Sequence, residues 1–156
     1  ETGNAEVMKE IKKGIRLEQV ESVCHMAAEE GMAIKTSFIL GNPGETEETV
    51  EETIRFAKSL PSHYITFSLM APLPGAPLWD TANQYGQFNK TAYDKFSMVG
   101  ANFIPEGMTS GFLVRKQHEA HKRVFMRPSM IRRHVRFIQS PTDFWRYAQG
   151  VFSMLF

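Results

Sequence analysis

The residue types best suited to chemistry gather where a β-prone run meets a helix. The string Phe38-Ile39-Leu40-Gly41-Asn42-Pro43-Gly44-Glu45-Thr46-Glu47-Glu48-Thr49 carries an apolar stretch into two glycines and then opens a helix. Glycines at such a junction let a ligand approach the backbone, and a helix N-terminus offers free N–H groups to an anion. Two features argue against a phosphate. No Lys-Ser/Thr pair follows the glycines, and acidic residues crowd the helix start. On spacing alone the segment reads as a strand-to-helix turn, and the run Glu45, Glu47, Glu48, Glu51 and Glu52 as a solvated helix start. His118 and His121 stand three apart, a spacing able to chelate a metal. With no third ligand on that face they read as exposed helix histidines. His25, His63 and His134 are isolated, and no Ser-His-Asp set or carboxylate pair stands out. Cys24 is the single thiol, so it makes no intrachain disulfide and holds no metal cluster alone. It reads as a small buried helix residue in a reducing, cytoplasmic setting.

The elements that must position these groups follow from periodicity. Asn4 is a good N-cap, and Val7, Met8 and Ile11 share one helical face. Gly14 is expected to stop that helix. A second begins near Glu18, with Val20, Val23, Cys24, Ala27 and Ala28 as its buried stripe and Gly31 as its C-terminal cap. Residues 34–40 read as a strand. A helix then starts near Thr46, with Val50, Thr53, Ile54 and Ala57 facing inward. A second strand spans 64–71 and leaves through the turn-rich Pro72-Leu73-Pro74-Gly75-Ala76-Pro77. Strands alternating with helical crossovers imply parallel pairing in an α/β sheet. Two strands cannot close a sheet, so the chain reads as part of a larger architecture. Residues 78–108 read as irregular. Three helices are expected after them: one over 110–126, one from Pro128 with Met130, Ile131, His134, Val135 and Ile138 on one side, and one capped by Ser140-Pro141-Thr142-Asp143.

Length and charge narrow the class. The 156 residues suffice for one domain with a core, at a formal net charge of +1. No run approaches the ~18 apolar residues of a membrane span. No secretory leader opens the chain, and the abrupt start at Glu1 without Met reads as an excised piece. Charge is uneven. Against the acid-rich first part, the last fifty or so residues carry Arg115, Lys116, Lys122, Arg123, Arg127, Arg132, Arg133, Arg136 and Arg146. These read as a solvated helical face, or one that meets an acidic partner, ahead of nucleic-acid or membrane contact. The apolar residues Phe144, Trp145, Tyr147, Val151, Phe152, Met154, Leu155 and Phe156 leave two readings open for residues 140–156: docking on protein, or peripheral membrane contact.

Four segments, in order and at matching spacing, resemble the radical S-adenosylmethionine (SAM) family over residues 1–80. Glu1-Thr2-Gly3-Asn4 is similar to the family's Glu-Ser-Gly-Asn at the end of the fourth barrel strand. Lys12-Lys13-Gly14-Ile15 followed by Glu18 matches its inter-helix linker. The 38–49 string resembles the fifth strand and turn. Ser68-Leu69-Met70-Ala71-Pro72-Leu73-Pro74-Gly75-Ala76-Pro77-Leu78 resembles the sixth strand and its Pro-x-Pro-Gly exit. Phe125-Met126-Arg127-Pro128, Ile131-Arg132-Arg133 and Ser140-Pro141-Thr142-Asp143 resemble the tail of the cobalamin-dependent branch, which includes the anaerobic magnesium-protoporphyrin IX monomethyl ester oxidative cyclases.

The resemblance implies an α/β fold: part of a (β/α) barrel with parallel strands over residues 1–80, followed by a mainly helical extension over 81–156. It implies a parent enzyme in which a [4Fe–4S] cluster, held by Cys-x3-Cys-x2-Cys, binds SAM and cleaves it to a 5′-deoxyadenosyl radical. Cobalamin would sit on a preceding domain. This chain has no such cysteine set, so it is expected to hold no cofactor and be inactive alone. Its partners would be the missing barrel half and cobalamin domain of the same chain, with a small-molecule substrate and no nucleic acid. Carried over by position, the cofactor-facing residues are Glu1 toward the ribose or amino group of SAM, Ile39 and Gly41 against adenine, and Ser68, Met70 and Pro72 along the sixth strand; no catalytic residue is assigned. The competing readings are a non-catalytic α/β binding or assembly module using its basic helices, and a methylthiotransferase-like or methyltransferase relative acting on RNA.

Overall fold

The computed structural model describes residues 1–91, 100–135, 138 and 140–155, without the side chains of 133–135, 147 and 150–155. The chain begins with α1 (Ala5–Glu10), whose N-cap Asn4 accepts the Val7 N–H at 2.9 Å. α1 ends before Gly14, because Lys12 itself turns left-handed at φ 55°. Helix α2 (Leu17–Glu29) ends where the Met32 N–H reaches back to the Ala27 carbonyl and Gly31 takes a positive φ, the glycine stop expected from sequence. Its stripe departs from expectation at one position. Val20, Cys24, Ala27 and Ala28 face the core, whereas Val23 is exposed.

Strands β1 (Lys35–Leu40) and β2 (Tyr64–Leu69) pair in parallel, Lys35 opposite Tyr64 through Leu40 opposite Leu69. Between them runs α3 (Glu47–Ser59), capped by Thr46, with Val50, Thr53, Ile54 and Ala57 all buried as its spacing predicts. Alternation gives the strand pair two unlike faces. Phe38, Leu40, Ile65, Phe67 and Leu69 are buried beneath the helices, with the Phe38 and Phe67 rings stacked at 5.5 Å. The other face carries Lys35, Ser37, Ile39, Tyr64, Thr66 and Ser68, none of them fully buried.

The segment read as irregular is partly ordered. It forms α4 (Pro77–Thr81), a 3₁₀ turn at Ala82–Gln84 and an antiparallel ribbon of β3 (Gly86–Phe88) with β4 (Phe103–Pro105). Sequence reading misses the ribbon because each strand is three residues long, too short for alternation to register. Gly86 is required there, since a Cβ would lie 2.1 Å from the Ile104 carbonyl oxygen. Ala82, Phe88 and Phe103 form a small second core with Met70, Leu78 and Trp79.

Helix α5 (Ser110–Phe125) lies across β2 and α3, and its Phe112, Leu113, Ala120 and Val124 join the main core. Helices α6 (Pro128–Val135) and α7 (Pro141–Leu155) follow, the latter capped by Ser140, whose hydroxyl accepts the Asp143 N–H at 3.2 Å. The expectations for Arg133, His134, Val135, Arg136, Tyr147, Val151, Phe152, Met154, Leu155 and Phe156 fall outside the described residues or side chains. Of the predicted face of α6, Met130 is buried and Ile131 is exposed. Among the described residues no helix is long and apolar enough to cross a membrane.

Part of the basic C-terminal charge is paired within the chain. Glu51 on α3 pairs with Lys116 and Arg123 on α5, and Glu119 joins the same network. Partial burial works against ionisation of Glu51, but hydrogen bonds from Arg123 and Lys116 outweigh it and hold its carboxyl below the ordinary range. Arg127 is buried, with its guanidinium on the Lys58 and Ser62 carbonyls at the end of α3. A cation suits a helix C-terminus, where carbonyls lack intrahelical partners.

Candidate functional site

The C-terminal ends of β1 and β2 gather most of the residues singled out by sequence. The Ile39 N–H donates to the Glu1 carbonyl at 2.8 Å, on the edge of β1 away from β2. Ile39 also sits opposite Ser68. The Glu1 backbone, Ile39 and Ser68 therefore lie on three adjacent lanes of backbone. Ile39 and Ser68 lie on the less buried face of the strand pair. One row further on, the Met70 N–H donates to the Leu40 carbonyl at 2.9 Å.

The remaining residues are placed differently. The side chain of Glu1 is exposed, its carboxylate 2.6 Å from Lys13 Nζ. Gly41 is buried at φ 83°, and an added Cβ would press on Leu113 at 3.3 Å. Its glycine identity thus answers to backbone conformation and to α5 packing. Met70 packs into the small second core, and Pro72 is buried.

Sequence reasoning missed the residue that shapes this turn. Glu45 is not part of a solvated helix start: it is 2% exposed, and its Oε2 accepts the Gly41 N–H at 2.7 Å and the Asn42 N–H at 2.9 Å. Burial pushes its carboxyl up to about 7, against the lowering effect of those amides and of the Asn42 and Thr2 side chains. Asn42 adds a bond from Nδ2 to the Ile39 carbonyl at 2.8 Å. Within the acidic run, Glu47 and Glu48 alone are exposed; Glu51 belongs to the α5 network and Glu52 accepts from Asn4. The available signal was position: Glu45 precedes the helix cap Thr46 and follows Gly41 by four residues, so a short loop folds its carboxylate back onto the turn.

His121 is a second miss. It is half-buried rather than exposed. Its Nε2 accepts the Phe67 N–H at 3.3 Å and its Nδ1 lies 2.9 Å from the Gln117 carbonyl, which sets Nδ1 as the donor. Gln117 Nε2 donates to the Phe67 carbonyl at 2.7 Å. The i, i+4 pair on α5 thus satisfies both backbone groups of Phe67 on the edge of β2 away from β1. Burial lowers the His121 pKa, and His118 nearby adds to the effect.

Three adjacent backbone lanes carry an exposed acid–base pair, a half-buried apolar residue and a hydroxyl. Among the described residues no three His, Cys, Asp or Glu side chains converge as a metal site, and Cys24 is buried on α2. The single cysteine, buried on α2, cannot by itself hold an iron–sulfur cluster.

This architecture is one of α/β proteins with parallel strands and helical crossovers. The chain is 29% identical over 131 residues to an uncharacterized methyltransferase of Pyrococcus horikoshii, covering 84% of this chain and 28% of that protein. It is 30% identical over 108 residues to the ribosomal protein uS12 methylthiotransferase RimO of Protochlamydia amoebophila, covering 67% of this chain and 23% of that protein. It is 23% identical over 122 residues to the anaerobic magnesium-protoporphyrin IX monomethyl ester cyclase of Rubrivivax gelatinosus, covering 78% and 21%. These homologues are members of the radical SAM family. The chain spans about a quarter of the length of these relatives. No protein-family model matches it.

Proposed function

We propose that this chain is one wall of a (β/α) barrel in a radical SAM enzyme, supplying strand ends that hold SAM while the cluster cysteines lie elsewhere in a longer parent. The observation that carries the reading is the Ile39 N–H bonded to the Glu1 carbonyl. It marks a third lane, beside β1, that preceding residues would extend as a further strand. In that setting Glu1 faces the polar part of SAM, Ile39 and the Gly41 turn face its adenine, and Ser68, Met70 and Pro72 shape the adjoining rim. When bound, SAM and its cluster would supply a 5′-deoxyadenosyl radical; this chain's own part is to orient the adenosyl group. We further propose a small-molecule substrate, a methyl-transfer or oxidative-cyclase type of reaction, and a cobalamin domain on the same parent.

The test is anaerobic reconstitution with iron, sulfide and SAM. The parent is expected to carry Cys-x3-Cys-x2-Cys upstream of Glu1 and to release 5′-deoxyadenosine, and this chain alone to take up no stoichiometric cluster. Cluster uptake by this chain alone would overturn the reading. The competing basic binding module loses support from the pairing of Lys116 and Arg123 and the burial of Arg127. Peripheral membrane contact through residues 140–156 keeps one supporting feature, the exposed neighbours Phe144 and Trp145.

A further inference from the structure

The first residues of the chain are gripped by α3. Thr53 is the polar member of the buried face of α3, beside Val50, Ile54 and Ala57. Its hydroxyl is taken out of water, a cost that only hydrogen bonds offset. Its Oγ1 accepts the Gly3 N–H at 2.9 Å and lies 3.0 Å from Thr2 Oγ1, one hydroxyl donating to the other. Thr2 is fully buried as well, and its Oγ1 accepts the Asn4 N–H at 3.2 Å. Asn4 Nδ2 in turn donates to Glu52 Oε2, on the helix turn that carries Thr53, at 2.5 Å. The grip is also steric. A Cβ on Gly3 would lie 2.5 Å from Phe56 Cβ and 2.8 Å from Thr53 Cα, so the backbone there rests directly on α3.

This grip reaches the strand ends through one peptide. The Glu1 carbonyl, in the peptide shared with Thr2, takes the Ile39 N–H at 2.8 Å. With Thr2 and Gly3 held, the direction of that carbonyl is set, and so is the point from which the Glu1 side chain leaves the backbone. The Glu1–Lys13 ion pair is too exposed to do this, since such pairs contribute little.

We propose that Thr53 is a positioning residue of the adenosyl site: its hydroxyl, acting through Thr2 and Gly3, fixes Glu1 against Ile39. The proposal rests on the SAM reading above and deepens it by naming a helix residue, away from the strand ends, on which that site depends. Thr53 itself touches no ligand.

Three substitutions separate this role from packing. Thr53→Val keeps the shape and removes the oxygen, Thr53→Ser keeps the oxygen, and Ile54→Val loosens the same buried face without touching these bonds. The first readout is hydrogen exchange in this chain. Thr53→Val should speed exchange at the Ile39 amide roughly tenfold relative to the Phe67 amide, with the other two variants leaving that ratio unchanged. The second is 5′-deoxyadenosine release by the reconstituted parent. There Thr53→Val should raise KM for SAM roughly tenfold with kcat nearly unchanged, and Thr53→Ser should restore it. Unchanged Ile39 exchange in Thr53→Val would overturn the proposal whatever the ligand. Faster exchange with an unaltered KM would overturn it and leave the SAM reading standing. An Ile54→Val parent that matches Thr53→Val in both readouts would reduce Thr53 to a packing residue. A wild-type parent that releases no 5′-deoxyadenosine would overturn the SAM reading and the proposal together. Should Thr53→Val fail to fold, Thr2→Ala removes one of the two bonds and carries both readouts with the same signs.

Discussion

The two edges of the strand pair are finished in different ways. On β2, the N–H and carbonyl of Phe67 are taken by His121 and Gln117, side chains of the chain's own α5. On β1, the Glu1 carbonyl takes the Ile39 N–H, and among the described residues no backbone partner on that edge reaches Lys35 or Ser37. Exposed strand edges invite pairing, and proteins usually blunt them. One edge here is closed by polar side chains at a definite register. The other is left in a state that suits continuation by another strand. The contrast gives the layer a direction: terminated beyond β2, open beyond β1.

The contrast can be broken most forcefully at the closed edge. Replacing Gln117→Leu and His121→Leu together leaves both Phe67 backbone groups without partners, at a cost of ~2–5 kcal/mol. Urea unfolding should show that loss, and the Phe67 amide should exchange quickly. A change under about 1 kcal/mol would mean that α5 holds the edge through its apolar contacts alone.

The turn at the C-terminal end of β1 gives the next largest effect. Glu45 titrates near 7 when folded against 4.5 unfolded, so the folded state binds the extra proton between those values. Stability should fall as pH rises through that window, by roughly 3 kcal/mol in total, and level off above it. Glu45→Gln should remove the slope in thermal melts from pH 4.5 to 8. A slope that persists in that variant assigns it to other groups.

His121 slopes the other way. Its folded pKa is depressed, so its contribution is complete above its unfolded value of 6.5 and is lost as pH falls through the folded value. An imidazolium cannot accept the Phe67 N–H. In a Glu45→Gln background, melts below pH 6.5 should therefore drop, and adding His121→Leu should abolish that drop.

The smallest effect is expected on the open edge. Ser37→Pro removes an N–H with no ladder partner, along with one hydroxyl bond to Thr66, so this chain should lose about 1 kcal/mol or less. In a longer parent the same change should block the neighbouring strand and cost far more. Equal effects in both proteins would show that β1 is an edge in each.

Much of the layer was legible from residues alone. The spacing of Val50, Thr53, Ile54 and Ala57 states which face of α3 is buried, and Thr46 and Ser140 mark their helix starts. The positions of β1 and β2 are equally plain, since β-branched and aromatic runs end at Gly41 and Pro72. What was not legible depends on distant partners. Val23 belongs to an apolar stripe by spacing but lacks a cover. Glu51 looks like surface charge until α5 brings Lys116 and Arg123 to it.

Sequence by itself determined the order of helices and strands through β2, the parallel pairing of β1 with β2 and the positions of the turns at their ends, because periodicity and turn chemistry act over a few neighbours. Tertiary structure alone decided that Glu45 is buried on the Gly41 turn, that His121 and Gln117 close one strand edge, and that the other stays open. Those outcomes depend on which groups meet across long separations, where burial and hydrogen bonding give the same side chain opposite roles.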